Sequence, residues 1–217
     1  MHDGDTEGMG VNIDTARTRL RPLGRDDVDE LIHLDSDPEV MRYVSGGAST
    51  SRAVIEEWVL PRAEAERRSH GTGVWAVVDP ATAVFLGWVS LRAPRHSNRA
   101  ELELTYRLRR AVWGRGLATE ASRALLAFAF GHLGTQRVFA GTMAVNVGSR
   151  RVMEKLGMSL TAIHVSDERF DDVAAPPSVL GFLADGGFEA AEVEYEILAS
   201  RWAALASRWP SATGLTA

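Results

Sequence analysis

The stretch VWGRGLATEA, residues 112–121, places two glycines around Arg115 immediately before an alanine- and leucine-rich segment. A glycine turn that opens a helix exposes several backbone N–H groups, and the helix dipole adds a partial positive charge. Such a terminus binds anions, phosphate above all. Gly114 and Gly116 suit this role because a Cβ would block close approach or forbid the required dihedral angles. The sequence therefore predicts an anion site at this turn.

Three phosphate-binding motifs compete for the turn. A P-loop requires Gly-Lys-Ser/Thr, which is absent, and a dinucleotide fingerprint requires a third glycine where Thr119 stands. A diphosphate cradle of the coenzyme A type requires only the turn and the helix start. Arg107, Arg109, Arg110 and Arg115 cluster here with no acid between them, which favours an anionic ligand. The alternative is a tight turn that binds nothing.

A pair of carboxylates precedes the turn in the segment AELELTYRL, residues 100–108. Strict alternation puts Glu101 and Glu103 on one face of a strand, about 7 Å apart along it. The proximity of two like charges raises one pKa, which would help that carboxylate act as a base. The alternative is that both are exposed or form salt bridges.

Composition excludes several classes of chemistry. The chain has no cysteine, which excludes disulfides, thiolate metal sites and a cysteine nucleophile. Its histidines show no helical metal-site spacing, so no metal is expected. The net charge of -5 argues against nucleic-acid binding, and no apolar run reaches the roughly 18 residues of a membrane helix. Without a visible targeting segment, we expect a cytoplasmic protein that binds neither nucleic acid nor membrane.

The elements that position these residues follow from hydrophobic periodicity. Strands are predicted at residues 18–23, 74–78, 83–91, 100–108, 137–143, 159–165 and 192–198. Helices are predicted at residues 25–34, 50–68 with a kink or break at Pro61, 117–133 and 146–156, and a short one after residue 200. One strand–helix–strand crossover among antiparallel hairpins indicates an α/β (α+β) fold. Its sheet is mixed, mostly antiparallel, with about seven strands flanked by helices.

The segment WGRGLATEA is followed about 25 residues later by Asn146-x-x-Ser149 and then Glu-Lys-Leu-Gly-Met. These paired motifs resemble the GNAT acetyltransferase superfamily, in particular its RimJ/RimL-type branch of ribosomal-protein N-terminal acetyltransferases. RLRPLGRDDVDELIHL resembles the opening strand and helix of that branch, SDPEVMRYV the loop that follows, and ELELTYRL the central strand. The resemblance implies an acetyltransferase domain at residues 15–202, between a disordered tail at 1–14 and a C-terminal tail at 203–217.

The resemblance implies transfer of an acetyl group from acetyl-CoA to an amine. It assigns cofactor binding to the backbone of Trp113, Gly114, Arg115, Gly116, Leu117 and Ala118, and places Leu108 against the pantetheine arm. Asn146 either reaches that arm or caps the later helix. Arg115, Arg150 and Arg151 either contact phosphates or are solvated surface charges. Trp113 stands where the superfamily often has Gln or Arg.

The same resemblance suggests catalytic roles. Glu103 would take the proton of the amine through a water, and the Tyr106 amide would lie near the thioester oxygen. Ser149 would hydrogen-bond the leaving thiolate, its alternative role being a cap in the first turn of the helix. Many members carry a proton-donating tyrosine in that helix, which is absent here. Tyr106 is the fallback acid if its hydroxyl reaches the cleft.

The acceptor is the least specified part. A protein N-terminus, an aminoglycoside, a polyamine or another small amine all fit. An acidic loop could hold a cationic amine through Asp167, Glu168, Asp171 and Asp172, or simply be solvated. The rival hypotheses are a silent acyl-CoA sensor or scaffold and an enzyme that uses a larger donor such as succinyl-CoA. We expect a homodimer, with Trp202 and Trp209 packing either on the domain or on a second subunit.

Overall fold

The protein is described by a computed structural model at residues 10–94, 100–165, 191–207, 209 and 215–216. The strands are β1 (Asn12–Asp14), β2 (Arg19–Pro22), β3 (Gly73–Val78), β4 (Phe85–Arg92), β5 (Glu101–Leu108), β6 (Arg137–Met143), β7 (Ser159–Val165), β8 (Ala191–Leu198) and β9 (Leu215–Thr216). The α-helices are α1 (Val28–Asp35), α2 (Pro38–Ser45), α3 (Arg52–Val54), α4 (Leu60–His70), α5 (Leu117–Gly131), α6 (Val147–Lys155) and α7 (Ala199–Ala206). Short 3-10 turns occur at Arg25–Asp27 and Arg110–Val112, and a π turn at Ile55–Val59.

The strands form one sheet in the order β7-β8-β6-β5-β4-β3-β2-β1-β9. Neighbouring strands are antiparallel except β5 and β6, which run parallel because the chain crosses over through α5. The predicted mixed α/β fold with one strand–helix–strand crossover is confirmed. In the described part of the chain, the short strands β1 and β9 add to the seven that were predicted.

The two faces of the sheet bury separate apolar clusters. On one face Leu104 of β5 belongs to the same buried cluster as Leu125 of α5. On the other face Ala76 of β3 clusters with Leu31 of α1 and Ala63 of α4. Because side chains alternate along a strand, even-numbered residues of β5 face α5 and odd-numbered ones face α1 and α4. This alternation decides which side of the sheet each candidate side chain reaches.

The segment SDPEVMRYV forms helix α2, where a loop was expected. The Asp37 side chain accepts a hydrogen bond from the Glu39 N–H at 2.9 Å and so caps the helix. Pro38 takes the first helical position, where its missing N–H costs nothing. Gly46 ends the helix in the left-handed conformation, at φ 70°. The loop prediction is therefore wrong, although Asp-Pro-Glu is itself a helix-start signal.

The helical segment that follows passes through Pro61 by means of a π turn. The Leu60 N–H bonds the Ile55 carbonyl, five residues back, instead of an α-helical partner. Proline has no N–H, and its ring collides with the carbonyl four residues earlier in an ordinary helix. The wider turn directly before Pro61 relieves this conflict. The predicted kink or break is thus a π turn, and α4 continues to His70.

Parts of both predicted tails belong to the fold. β1 lies inside the tail predicted at 1–14, pairs with β2 and buries Ile13 completely. β9 lies inside the tail predicted at 203–217 and pairs with β1. Helix α7 also extends past residue 202. The predicted boundaries at 15 and 202 therefore cut through elements of the fold.

The C-terminal tryptophans pack on their own domain. The Trp202 ring stacks on Phe130 of α5, with 5.6 Å between ring centroids, and lies 5.1 Å from the Trp209 ring. The Arg123 guanidinium lies over the Trp209 ring at 4.7 Å. Both tryptophans therefore contact their own domain, which is one of the two surfaces that the sequence analysis considered.

Two further observations concern only the residues that the structure describes. No helix among them is long and apolar enough to cross a membrane. No group of three or more His, Asp or Glu side chains lies together there as metal ligands would.

Candidate active site

Strands β5 and β6 separate inside the sheet. Their parallel pairing covers only Glu101 to Glu103 of β5. β5 then continues to Leu108 and β6 to Met143 without pairing to each other. We call the opening between these two strand ends the wedge, and its apex is the last residue pair, Glu103 and Phe139.

The β5 side of the wedge offers unpaired backbone groups. The Arg109 N–H donates to the carbonyl of Leu86 in β4 at 2.9 Å. Since backbone groups point to alternate sides along a strand, the N–H groups of Leu108 and Tyr106 point away from β4 and into the wedge. The Leu108 carbonyl accepts a hydrogen bond from Trp113 Nε1 at 2.8 Å. A strand-like segment of a ligand can pair with this edge as an added strand would.

The glycine turn lies where β5 ends. Gly114 and Gly116 are both left-handed, with φ 73° and 78°. The first bond of α5 joins the Glu120 N–H to the Gly116 carbonyl at 3.0 Å. Among the described hydrogen bonds, none uses the six N–H groups of residues 114–119. Together with the dipole of a 15-residue helix, these free N–H groups suit an anion, as the sequence predicts.

The side chains of the turn are arranged so that the backbone stays accessible. Leu117 is buried in the core beneath α5 and anchors the helix start. Ala118 is half-buried, whereas Trp113 and Arg115 are exposed. Around Gly114 nothing lies within 4 Å of the place a Cβ would occupy. An anion therefore has free access to the N–H groups.

Tyr106 and Ser149 meet across the wedge, one from β5 and one from α6. The Tyr106 hydroxyl lies 2.9 Å from Ser149 Oγ and donates to the Ser149 carbonyl oxygen at 3.0 Å. Burial raises the pKa of Tyr106 well above its ordinary value, and the hydrogen bond with Ser149 offsets only part of the rise. The structure thus joins the two residues predicted as alternatives for the acid.

Two residues at the start of α6 are engaged within the chain. Asn146 caps the helix by accepting the Ser149 N–H at 3.2 Å, which confirms the capping role, and its Nδ2 donates to Thr142 Oγ1 at 3.1 Å. Arg150 Nε donates to the Tyr195 hydroxyl at 3.2 Å, and its Nη1 donates to a carbonyl of the preceding turn. Contacts of Asn146 with pantetheine and of Arg150 with phosphate stay predictions.

Glu103 stands at the apex, on the face covered by α4. It is half-buried, and Arg92 lies directly opposite across the β4–β5 pair. Burial raises the pKa of Glu103, the Arg92 and Arg62 guanidinium groups lower it in part, and Glu194 adds to the rise. In the described part of the chain, its carboxylate makes no hydrogen bond or ion pair. A free carboxylate with a raised pKa suits general-base chemistry.

Glu101 does not share this environment. It pairs with Arg137 at 2.9 Å, and the same guanidinium holds Glu194 and Glu196, each at 2.6 Å. The predicted cause of the raised pKa of Glu103, repulsion from Glu101, is therefore wrong. Burial is the main cause, and Glu101 belongs to a structural network.

The predicted cluster of arginines around the turn is divided by the strand. Arg107 pairs with the buried Asp35 at 2.5 Å, and Arg109 pairs with Glu30 of α1. Arg107 is an odd-numbered position of β5 and Arg109 directly follows the strand, so the alternation of side chains turns both toward α1 and not toward α5. The expectation that they add charge to the anion site is wrong, whereas Arg115 stays exposed at the turn.

A clamp that the sequence did not reveal holds the turn from outside. Arg17 Nη1 donates to the Arg115 carbonyl at 2.9 Å, and Arg17 Nε donates to the Glu120 carboxylate at 2.7 Å. Arg17 and Glu120 are 103 positions apart, so no local spacing brings them to attention. Thr15 Oγ1 donates to the same Glu120 carboxylate at 2.7 Å, and we call Thr15, Arg17, Arg115 and Glu120 together the clamp.

Acidic side chains continue along the sheet next to the apex. Glu196 of β8 lies opposite Phe139, which in turn pairs with Glu103, so the three share one face. Glu194 and Glu192 follow on the same face, and Glu192 is exposed. The acidic loop predicted to hold a cationic amine, with Asp167, Glu168, Asp171 and Asp172, lies outside the described residues.

Comparison with known proteins gives one consistent result. The family model described as an acetyltransferase (GNAT) domain matches residues 17–159. The FsC-acetyl coenzyme A-N(2)-transacetylase of Aspergillus fumigatus is 31% identical over 199 residues, which cover 88% of this chain and 77% of that protein. A GNAT-family acetyltransferase from Bacillus anthracis has a TM-score of 0.65 at 20% identity, covering 87% of this chain and 99% of that one. The spermidine N-acetyltransferase of Vibrio cholerae, solved with CoA and spermine, has a TM-score of 0.65 at 18% identity, with the same coverage of 87% and 99%.

Proposed function

Because the chain belongs to the acetyltransferase (GNAT) family, we propose that it moves the acetyl group of acetyl-CoA directly to the nitrogen of a primary amine. Family membership makes it an acyl-CoA-dependent N-acyltransferase. The main support for direct transfer of an acetyl group to a primary amine is the wedge. Free N–H groups lie at its open end, and a half-buried carboxylate that makes no hydrogen bond or ion pair with the described residues lies at its apex.

The residues around the wedge fit acetyl-CoA, which supplies the acetyl group as an activated thioester. The N–H groups of residues 114–119 and the α5 dipole suit the charge of its diphosphate. The free N–H group of Leu108 suits an amide carbonyl of the pantetheine arm. The proposed cofactor-binding residues are Leu108, Trp113, Gly114, Arg115, Gly116, Leu117, Ala118, Asn146 and Arg150.

Glu103 is the proposed general base, acting through a water. A carboxylate with an ordinary pKa of about 4.3 is a weak base at neutral pH, so a rise in pKa brings it closer to its task. The Arg92 and Arg62 guanidinium groups oppose part of that rise in the pKa of Glu103, because a nearby cation favours the ionised form. The water would pass a proton of the neutral amine to Glu103 as the nitrogen–carbon bond forms and the carbon–sulfur bond of the thioester breaks. An amine that arrives as an ammonium ion would first lose one proton to solvent.

Ser149 is the proposed partner of the leaving thiolate, with Tyr106 behind it. A thiol has a pKa of about 8.5 and a tyrosine about 10, so complete proton transfer from Tyr106 costs at least about 2 kcal/mol. Burial of Tyr106 makes that transfer more costly still. A hydrogen bond from Ser149 Oγ to the sulfur is therefore favoured, with the Tyr106 hydroxyl donating to the Ser149 carbonyl oxygen as it does in the structure. The Tyr106 N–H, on the wedge side of β5, is the proposed donor to the thioester oxygen.

The proposed acceptor is a protein N-terminus or a small primary amine. The Aspergillus relative is named as a transacetylase at an N(2) nitrogen, and the Vibrio protein was solved with spermine. The acids of β8 beside the apex suit an amine that is cationic before it reacts. The RimJ/RimL-type branch, the cytoplasmic location and a homodimer stay predictions from the sequence.

Thiol release from acetyl-CoA with a panel of amines tests the proposal. The panel contains spermidine, an aminoglycoside and peptides with free N-termini, and the same peptides with blocked N-termini serve as controls. Mass spectrometry of the acceptor must show the gain of one acetyl group. Saturable CoA binding with no turnover across the panel would refute the transfer reaction and favour an acyl-CoA sensor. Turnover with succinyl-CoA alone would instead revise the donor.

A further inference from the structure

We infer that Arg17 is a positioning residue that holds the glycine turn in the orientation that binds the diphosphate of coenzyme A. This inference rests on the proposed function, since it assumes that the turn binds a diphosphate. Arg17 lies between β1 and β2, far along the chain from the turn. It belongs neither to the anion-binding backbone nor to the residues proposed for catalysis.

The geometry of the clamp is specific to a forked side chain. The Arg17 guanidinium gives one nitrogen, Nη1, to the Arg115 carbonyl at 2.9 Å. The other two nitrogens face the Glu120 carboxylate, Nε at 2.7 Å and Nη2 at 2.6 Å. The Arg17 backbone N–H also donates to Glu120 at 2.7 Å. One side chain therefore ties the middle of the turn to the first turn of α5, which a lysine could not do.

The turn needs such a clamp because glycines flank the peptide groups of Arg115. Gly114 and Gly116 adopt positive φ angles, and glycine passes between positive and negative φ at little cost. A peptide unit is planar and trans, so the Arg115 carbonyl and the Gly116 N–H point in opposite directions. Fixing the carbonyl on Arg17 therefore fixes that N–H on the opposite side. A flipped peptide would turn a carbonyl dipole toward the anion and repel it.

The clamp also removes an unfavourable charge. Glu120 stands in the first turn of α5, the helix end that the diphosphate would occupy. Burial alone would raise the pKa of Glu120, but hydrogen bonds from Thr15 and Arg17 outweigh it and lower the pKa, so the group is ionised at neutral pH. A bare carboxylate there would repel an anion. The Arg17 cation neutralises it within the ion pair.

Calorimetry of CoA binding to the full-length protein and to matched variants tests the inference. Arg17→Met should weaken the Kd for CoA by about tenfold, since it removes one charge-assisted bond to the turn and exposes the Glu120 charge. Arg19→Met is the matched control, because Arg19 is a nearby exposed arginine on β2 that pairs with Asp14. It should change the Kd by less than about twofold.

Two measurements separate positioning from a merely structural role. Acetyl-pantetheine, a donor without the diphosphate, should be used by wild type and Arg17→Met with similar kcat/KM, whereas acetyl-CoA should show the tenfold difference. Adding Glu120→Gln to Arg17→Met should recover part of the CoA affinity, because it removes the exposed charge. An equal loss with both donors would overturn the inference, as would an unchanged Kd for CoA in Arg17→Met.

Arg17→Lys covers the case in which Arg17→Met fails to fold. It keeps the charge but loses the fork, so we expect a CoA affinity about threefold weaker than wild type. An affinity equal to wild type would overturn the inference. The proposed function fails separately, and the inference falls with it, if folded wild type does not bind CoA at all. If wild type binds CoA and every Arg17 variant matches it, only the inference fails.

Discussion

Replacing Glu103 by glutamine should lower the activity of the protein and raise its stability at neutral pH. The carboxylate is half-buried with no hydrogen bond or ion pair among the described residues, and burial is the largest cause of its raised pKa. If Glu103 is the base, glutamine removes it at nearly constant volume. General-base catalysis contributes about 10²- to 10⁴-fold, so kcat/KM should fall by at least about a hundredfold.

The stability change follows from the direction of the pKa shift. A carboxyl whose pKa is raised in the folded state contributes stability at low pH, and that contribution is lost as pH rises through the folded pKa. At neutral pH the ionised Glu103 therefore carries a burial cost that a neutral amide lacks. The attraction of Arg92 and Arg62 offsets part of that burial cost, and solvent screening reduces the remaining cost. We expect Glu103→Gln to be more stable at pH 7 by at most about 1 kcal/mol, or about 2–4 °C in Tm.

The assay is a pH profile of kcat/KM by thiol release, beside thermal unfolding at neutral pH. In wild type, activity should fall as pH drops through the pKa of Glu103, and this fall should begin above the range of an ordinary carboxylate. An acceptor amine with a different pKa should shift only the part of the pH profile that reports ionisation of the amine. The acid limb, which reports Glu103, should stay in place. Glu101→Gln is the matched control, since Glu101 lies on the same strand and face but pairs with Arg137. Retention of more than a tenth of kcat/KM in Glu103→Gln, or an unchanged acid limb, would refute the reasoning.

Three further variants test the wedge, the turn and the opposite face. Tyr106→Phe removes the hydroxyl that lies 2.9 Å from Ser149 Oγ, so kcat should fall about tenfold with the Kd for CoA unchanged, by steady-state kinetics and calorimetry. Gly116→Ala forces alanine into φ 78°, at a cost of about 1–2 kcal/mol, and calorimetry should show a CoA affinity weaker by about tenfold. Arg107→Met leaves Asp35 buried without its cation, and urea denaturation should show a loss of about 3 kcal/mol in the free energy of unfolding.

The local parts of the fold were predictable because each is encoded within a short stretch. The predicted strand at 137–143 coincides with β6, and alternation in AELELTYRL predicted which residues of β5 face the core. The left-handed glycines of the turn were expected from their position before a helix. Helix α2 was missed although its start signal, Asp37 before Pro38, was present. The resemblance to the family predicted a loop for this segment, and that prediction was preferred to the helix-start signal, which was correct.

The partners of the charged side chains could not be predicted in the same way. The four arginines near the turn are neighbours in sequence, but alternation along β5 sends Arg107 and Arg109 toward acids of α1. Glu101 and Glu103 share a face, yet Glu101 forms an ion pair with Arg137 and the proposed base Glu103 does not. The partner of each charged side chain lies on another element of the fold, far from it in the sequence. Spacing alone identifies which residues share a face, whereas packing decides which charges meet.

The location of the wedge follows from topology and could in principle have been deduced. A parallel pair needs a crossover connection, and the connection must leave from the carboxyl end of its first strand. The N-terminus of α5 therefore has to lie at the end of β5 where the chain turns, and ligands of α/β sheets bind at such carboxyl ends. What topology does not dictate is that β5 and β6 stop pairing after Glu103. That early separation opens the backbone of β5 between the predicted base at Glu103 and the predicted anion site at residues 114–119. The crossover and the separation together make one continuous site out of features that the sequence shows apart.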